Sequence, residues 1–184
     1  MNKSEILRAV FTILKTSYIF FIPMLGMVST SAQAITDSDV ASNIGKVAAV
    51  HTVLMKDYNG LPQLVLTQSA SRNLTAYLKD NIDKRRPDGS NLDSFPSGHA
   101  ARSFSAAWYI HHRYGIKHSW PYLAASTWVS QQRVEKERHA VEDVAASMFL
   151  TYGVSKLFTS KQGEAPIIGV WYDDGPHLSI IKRF

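Results

Sequence analysis

The chain has 184 residues, a formal net charge of +5 and no cysteine. That length suits one domain with a real core, and the lack of cysteine excludes disulfides, thiolate catalysis and cysteine-based zinc sites. The basic excess is mild and forms no basic stripe interleaved with aromatics, so nucleic acid is not an expected partner.

The elements follow in chain order. Lys3, Arg8 and Lys15 give a positive start, residues 17–28 (SYIFFIPMLGMV) are a short apolar stretch, and Ala32-Gln33-Ala34 has the small residues of a cleavage site. The pattern predicts a signal peptide over 1–34, removed to leave a domain of 35–184. The alternative is an uncleaved anchor, but the stretch is shorter than the ~20 apolar residues of a spanning helix and contains Pro23 and Gly26. Export is therefore expected, to the periplasm if the source is a Gram-negative bacterium.

Residues 39–58 read as a first helix, with Asp37 or Ser38 as N-cap and Asn59-Gly60 as its stop. A second helix is expected over 62–83, and the Arg-, Pro-, Asp- and Gly-rich segment 84–95 is a loop. A third helix begins at Pro96 and stops at Gly115. Ser119-Trp120-Pro121 opens a fourth, since Pro suits a first helical turn, and a fifth runs over 140–158. None has the ~18 uninterrupted apolar residues of a transmembrane span. The period then changes: 167–171 and 178–183, joined by Asp173-Asp174-Gly175-Pro176, read as a β-hairpin. The expected fold is all-α, a compact helical bundle with a short C-terminal β-hairpin.

Three strings on this frame carry chemistry: KDNIDKRRP over 79–87, PSGH over 96–99 and RVEKERHAVED over 133–143. Phosphoryl transfer is largely a matter of positioning and of neutralising charged oxygens. Lys79, Arg86 and Arg133 are the cations for that, Arg as a planar fork and Lys as a point charge. Lys84, Arg85 and Arg138 read as solvated surface cations. With Pro96 in the first helical turn, the amides of Ser97, Gly98 and His99 stand at a helix N-terminus, where anions bind. Gly98 permits close approach, and Ser97 adds a hydroxyl. His139 and Asp143, four apart, share one helix face. A carboxylate there can accept the imidazole Nδ1–H and leave Nε2 free to attack. From the residues alone, the roles of His99 and His139 are interchangeable.

His111, His112 and His118 could suggest a metal cluster, but adjacent histidines on a helix point apart and no carboxylate is spaced to join them. No metal site and no cofactor is expected.

The strings resemble the signature of the type 2 phosphatidic acid phosphatase (PAP2) superfamily, which includes class A acid phosphatases and vanadium haloperoxidases. Its pattern is K-x6-RP, PSGH and SR-x5-H-x3-D. Lys79, Arg86 and Pro87 fit the first part, Pro96 to His99 the second, and Arg133, His139 and Asp143 the third; Gln132 stands where the pattern has Ser. The resemblance spans 79–143. It implies that His139 is a nucleophile forming a phosphohistidine, and that His99 protonates the leaving oxygen and then activates water. It also implies the bundle fold and a metal-independent phosphatase acting on phosphomonoesters or on lipid phosphates and diphosphates. The substrate would be a small molecule or a lipid, the latter with peripheral membrane contact. The competing functions are a vanadate-dependent peroxidase and a non-catalytic phosphate- or lipid-binding module.

Overall fold

The computed structural model describes residues 35–164 and, beyond them, only the backbone of 168–172 and 176–180. Five helices occur among the described residues: α1 Asp37–Leu54, α2 Gly60–Asn81, α3 Gly98–Tyr114, α4 Ile116–Glu135 and α5 Val141–Phe158. The helical class matches the expectation. Of the expected C-terminal hairpin only the backbone of 168–172 and 176–180 is described, as an antiparallel pair; its turn and its side chains lie outside the described residues. The expected signal peptide over 1–34 lies wholly outside them.

Local chemistry sets the helix starts, and α1, α3 and α4 show how they depart from expectation. Thr36, rather than Asp37 or Ser38, caps α1. Its hydroxyl accepts from the Asp39 amide at 3.2 Å, and the Asp39 carboxylate accepts from the Thr36 amide at 3.0 Å. This reciprocal box satisfies two otherwise orphaned donors and places Asp37 and Ser38 inside the first turn. At α3, Ser97 is the N-cap, so Pro96 precedes the helix instead of opening it. Gly115, with φ +84°, ends α3 and leads straight into α4. Such a backbone favours glycine. The fourth helix thus starts at Ile116 and carries Pro121 within it.

α3 is the central helix, packed against α1, α2, α4 and α5. Its buried face is rich in small residues (Ala100, Ala101, Ser103, Ala106, Ala107), while Phe104, Tyr109 and Ile110 fill the gaps between helices. The small side chains let four helices approach one axis, which fixes both ends of α3. At the C-terminal end, buried Arg113 grips Asp57 with two bonds, Nε–Oδ2 at 2.6 Å and Nη2–Oδ1 at 2.7 Å. Its Nη1 donates to the carbonyls of Ser160 and Lys161 at 2.8 and 3.0 Å. The turn between α1 and α2, the end of α3 and the chain after α5 are thereby tied together. The N-terminal end of α3 holds PSGH.

No helix among the described residues is long and apolar enough to cross a membrane.

Candidate active site

The loop between α2 and α3 folds back on itself. The Lys84 amide donates to the Leu92 carbonyl at 2.9 Å, Arg86 to Asn91 at 3.0 Å, and Ser94 back to Lys84 at 2.9 Å. This ladder brings Lys84, Arg86 and Ser94 against the start of α5. From the end of α2, the Lys79 ammonium donates to the Asp93 carbonyl at 2.6 Å. The three sequence strings therefore meet: loop and α2 on one side, the PSGH end of α3 beneath, and 133–143 opposite.

His139 is almost wholly buried. Its Nδ1–H donates to the Ser94 carbonyl at 2.7 Å, leaving Nε2 as the ring's other nitrogen. The expected bond from the ring to Asp143 is not made, since Nδ1 lies 3.9 Å from Oδ2. Asp143 acts on the neighbouring groups. Its Oδ2 accepts from the Ser94 hydroxyl and from the Ala140 amide at 2.9 Å, and its Oδ1 accepts from Lys84 at 2.6 Å. The carboxylate thus holds the residue whose carbonyl holds the imidazole. Burial would raise the Asp143 pKa, but the bonds from Lys84 and Ser94 outweigh it and keep the group ionised.

Lys84 is not the solvated cation that its sequence position suggests. It bridges Asp143 and Glu142, the latter at 2.7 Å. Burial opposes its charge, but the two carboxylates hold its pKa above the ordinary value. Arg138 does sit at the surface, paired with Asp88 at 3.1 Å.

The phosphate-binding candidates converge around His139. Arg133 Nη1 donates to Asp37 at 3.1 Å, and Lys136 donates to the same buried carboxylate at 2.5 Å. The Nε–H groups of Arg86 and Arg133 are buried without a hydrogen-bond partner. An unpartnered buried donor on a cation is costly, and two of them beside one imidazole form a cradle suited to an anion. Burial first, then Lys79, Arg133 and Arg86, outweigh the upward pull of the Ser94 bond and bring the His139 pKa down to about 4. The ring is therefore neutral near pH 7. Burial lowers Lys79 as well, against the pull of Asp93.

At PSGH the structure divides the expected amides. The Ser97 amide donates to the Asp143 carbonyl at 3.2 Å, so it serves the packing of α3 on α5 rather than an anion. The Ser97 hydroxyl is buried and caps the helix. Gly98 and His99 contribute the first amides of α3. His99 is half-buried, and its Nε2 lies 3.2 Å from the Ser38 hydroxyl. Burial, then Arg133 and Arg102, lower its pKa.

Ser94, Asp37, Ser38 and Lys84 are the site residues that sequence reasoning missed. The Gln132 side-chain amide donates to the Glu135 carboxylate at 2.9 Å. His111 and His112 bond Ser119 and Ser155 separately at 3.2 and 2.9 Å, and no cluster of three metal-ligating side chains occurs among the described residues.

The lipid A 4'-phosphatase of Helicobacter pylori is 28% identical over 121 residues, covering 60% of this chain and 61% of that protein. The lipid A 1-phosphatase of Porphyromonas gingivalis is 36% identical over 69 residues, which is 36% of this chain and 16% of that protein. The chain thus spans about three fifths of the first relative and about a sixth of the second. No solved structure matches. Residues 40–165, which include the three strings over 79–87, 96–99 and 133–143, match the PAP2 superfamily, and the chain belongs to it.

Proposed function

We propose that the chain is an exported, metal-independent phosphatase that removes phosphate from a phosphorylated lipid through a phosphohistidine. The observation that carries this reading is the neutral, buried His139, held through Nδ1 and bordered by two guanidinium groups with unpartnered Nε–H donors. Nε2 of His139 attacks phosphorus as the bond to the substrate alcohol breaks, and His99 gives that oxygen a proton. Water then attacks the phosphohistidine, His99 takes a proton from it, and the P–N bond breaks to release inorganic phosphate. Lys79, Arg86 and Arg133 offset the oxygen charge throughout, the part a divalent cation plays in many phosphoryl transfers.

The two lipid A phosphatases among the relatives support a lipid substrate. Exposed Phe149, Tyr152 and Leu157 on α5 offer an apolar face for peripheral membrane contact. Export rests on the leader-like pattern of 1–34. The alternating pattern of 167–183 about Asp173-Asp174-Gly175-Pro176 supports a terminal hairpin.

The test is phosphoenzyme trapping with purified protein and a ³²P-labelled phosphomonoester, with EDTA present. Wild type should hydrolyse the ester and yield an acid-labile, alkali-stable label, and His139→Ala should give neither. His99→Ala should still form the label but turn over ~10²–10⁴-fold more slowly. Label retained in His139→Ala, or activity lost to EDTA and restored by a divalent ion, would refute the mechanism.

A further inference from the structure

The first turn of α1 enters the candidate site with two side chains. Asp37 is only 3% exposed, and both of its oxygens are engaged: Oδ2 accepts from Arg133 Nη1 at 3.1 Å and Oδ1 from Lys136 Nζ at 2.5 Å. Burial would raise its pKa, but the bonds from Lys136 and Arg133 outweigh that and keep the carboxylate ionised. One residue on, the Ser38 hydroxyl lies 3.2 Å from Nε2 of His99. The same turn therefore meets a cation proposed to hold phosphate and the histidine proposed to move the proton. The Thr36–Asp39 box fixes the turn, and Val40 and Ala41 pack it against Val129 of α4.

Asp37 holds Arg133 in a different way from that in which the fold uses a purely structural arginine. Arg113 engages all three guanidinium nitrogens with protein acceptors. Arg133 is held by Asp37 at Nη1, while its Nε–H is buried without a hydrogen-bond partner. Because the guanidinium is a rigid planar fork, fixing one terminal nitrogen fixes the direction of the remaining donors. An ion pair that served only to tie α1 to α4 would gain from satisfying that donor, since a buried unpaired one is costly.

We infer that Asp37 is a positioning residue of the phosphatase site: it aims the Arg133 guanidinium at the phosphate and, with Ser38, anchors the proton-transfer side of the site to α1. The roles of Arg133 and His99 rest on the phosphatase reading; the aiming itself can be measured as anion binding, without turnover. Charge works in the same sense at His99. Burial lowers its pKa most, Arg133 on α4, Arg102 on α3 and Arg86 in the loop before α3 lower it further, and Asp37 opposes them. The carboxylate thus favours the proton-bearing ring that a leaving oxygen requires.

The test compares the full chain as wild type, Asp37→Asn, Ser38→Ala and Arg113→Met, the last altering the opposite end of α3. Orthovanadate binding is measured by calorimetry, and the His99 ring is titrated by NMR. If charge alone matters, removing a carboxylate beside an anion site should tighten anion binding. Loss of aim does the reverse, so Asp37→Asn should weaken orthovanadate binding about tenfold, and it should move the His99 titration to lower pH. Arg113→Met should change neither. Ser38→Ala, at an exposed position, should lower kcat/KM about tenfold on an alkyl phosphate and about twofold on 4-nitrophenyl phosphate, whose leaving group needs no proton. Orthovanadate bound as tightly or more tightly by Asp37→Asn, equal weakening in Arg113→Met, or an unmoved His99 titration overturns the inference. So does equal loss on both esters, or none, in Ser38→Ala. Where Asp37→Asn does not fold, Asp37→Asn with Lys136→Met, which also removes the cation it strands, is held to the same outcomes. If wild type hydrolyses neither ester, the phosphatase reading fails, and orthovanadate binding with the His99 titration then judges the inference alone; no binding by wild type overturns it too.

Discussion

The imidazole of His139 is aimed by a carbonyl oxygen, and the carboxylate four residues on works at one remove. Asp143 holds the Ser94 hydroxyl and the Lys84 ammonium, while the Ser94 carbonyl holds Nδ1. If this relay is what positions the ring, Ser94→Ala and Asp143→Asn should damage the same element. Each is expected to lower kcat about tenfold with little change in KM, a loss confined to the reacting state. The double variant should be hardly worse than either single one, because both act through one carbonyl. Multiplying losses would mean that Asp143 acts on the imidazole independently. Sequence paired His139 with Asp143 by assuming one helix face, but His139 precedes α5 and its ring makes no hydrogen bond to that carboxylate; the loop before the helix, not helical spacing, brings them near. Sequence could not show the Ser94 carbonyl, because every residue has one. Nor could it show Asp37, which meets Arg133 from 96 positions away. Lys84 misled for a related reason: one residue short of two arginines, it reads as part of a solvated run, and only the backward fold of its loop delivers it to a buried carboxylate.

At the scale of elements, the helices were legible because hydrophobic period and stop signals are local. Their starts were less so, because a cap depends on a reciprocal bond such as that of Thr36 with Asp39. The far end of α3 shows a further kind of information that sequence hides. Arg113 reads as an ordinary cation in a last helical turn, yet it is buried and spends its guanidinium on Asp57, Ser160 and Lys161. Burial would raise the Asp57 pKa, but Arg113 and Tyr114 more than offset this and keep the carboxylate ionised. Removing one member of such a pair strands the other in a poor solvent. Arg113→Met should cost about 3–5 kcal/mol of stability, read as a fall in the urea midpoint at unchanged slope. Because this knot lies at the opposite end of α3 from PSGH, activity per folded molecule should persist below the transition. Adding Asp57→Asn should restore part of the loss, and a further fall on adding it would mean that the pair is not the source.

At the scale of the molecule, three histidines among the described residues are held neutral well below the ordinary range. Burial is the largest influence in each case, and it brings His51, His112 and His139 to about 4 from an ordinary value near 6.5. They sit in different places: His51 bonds Tyr122 at 3.1 Å between α1 and α4, His112 bonds Ser155 at 2.9 Å between α3 and α5, and His139 lies in the site. Unfolding releases each ring to bind a proton at higher pH than the native protein does. Their contribution to stability is therefore fully present above pH 6.5, is lost progressively as pH falls towards 4, and changes no further below that. Each proton taken up on unfolding adds a slope of about 1.4 kcal/mol per pH unit within the window. Urea midpoints measured between pH 7 and pH 4 should fall steeply, and His51→Phe should flatten the fall by one proton whatever its effect at pH 7. Catalysis bends the opposite way, since His139 stays neutral across this range while His99, also lowered, must carry a proton for the leaving oxygen. The pH optimum of kcat/KM should accordingly lie below 6.5, inside the interval where the fold is losing stability. A urea midpoint that is flat from pH 7 to pH 4 would show that the three rings are not held neutral together, and with them the acid optimum would lose its physical basis.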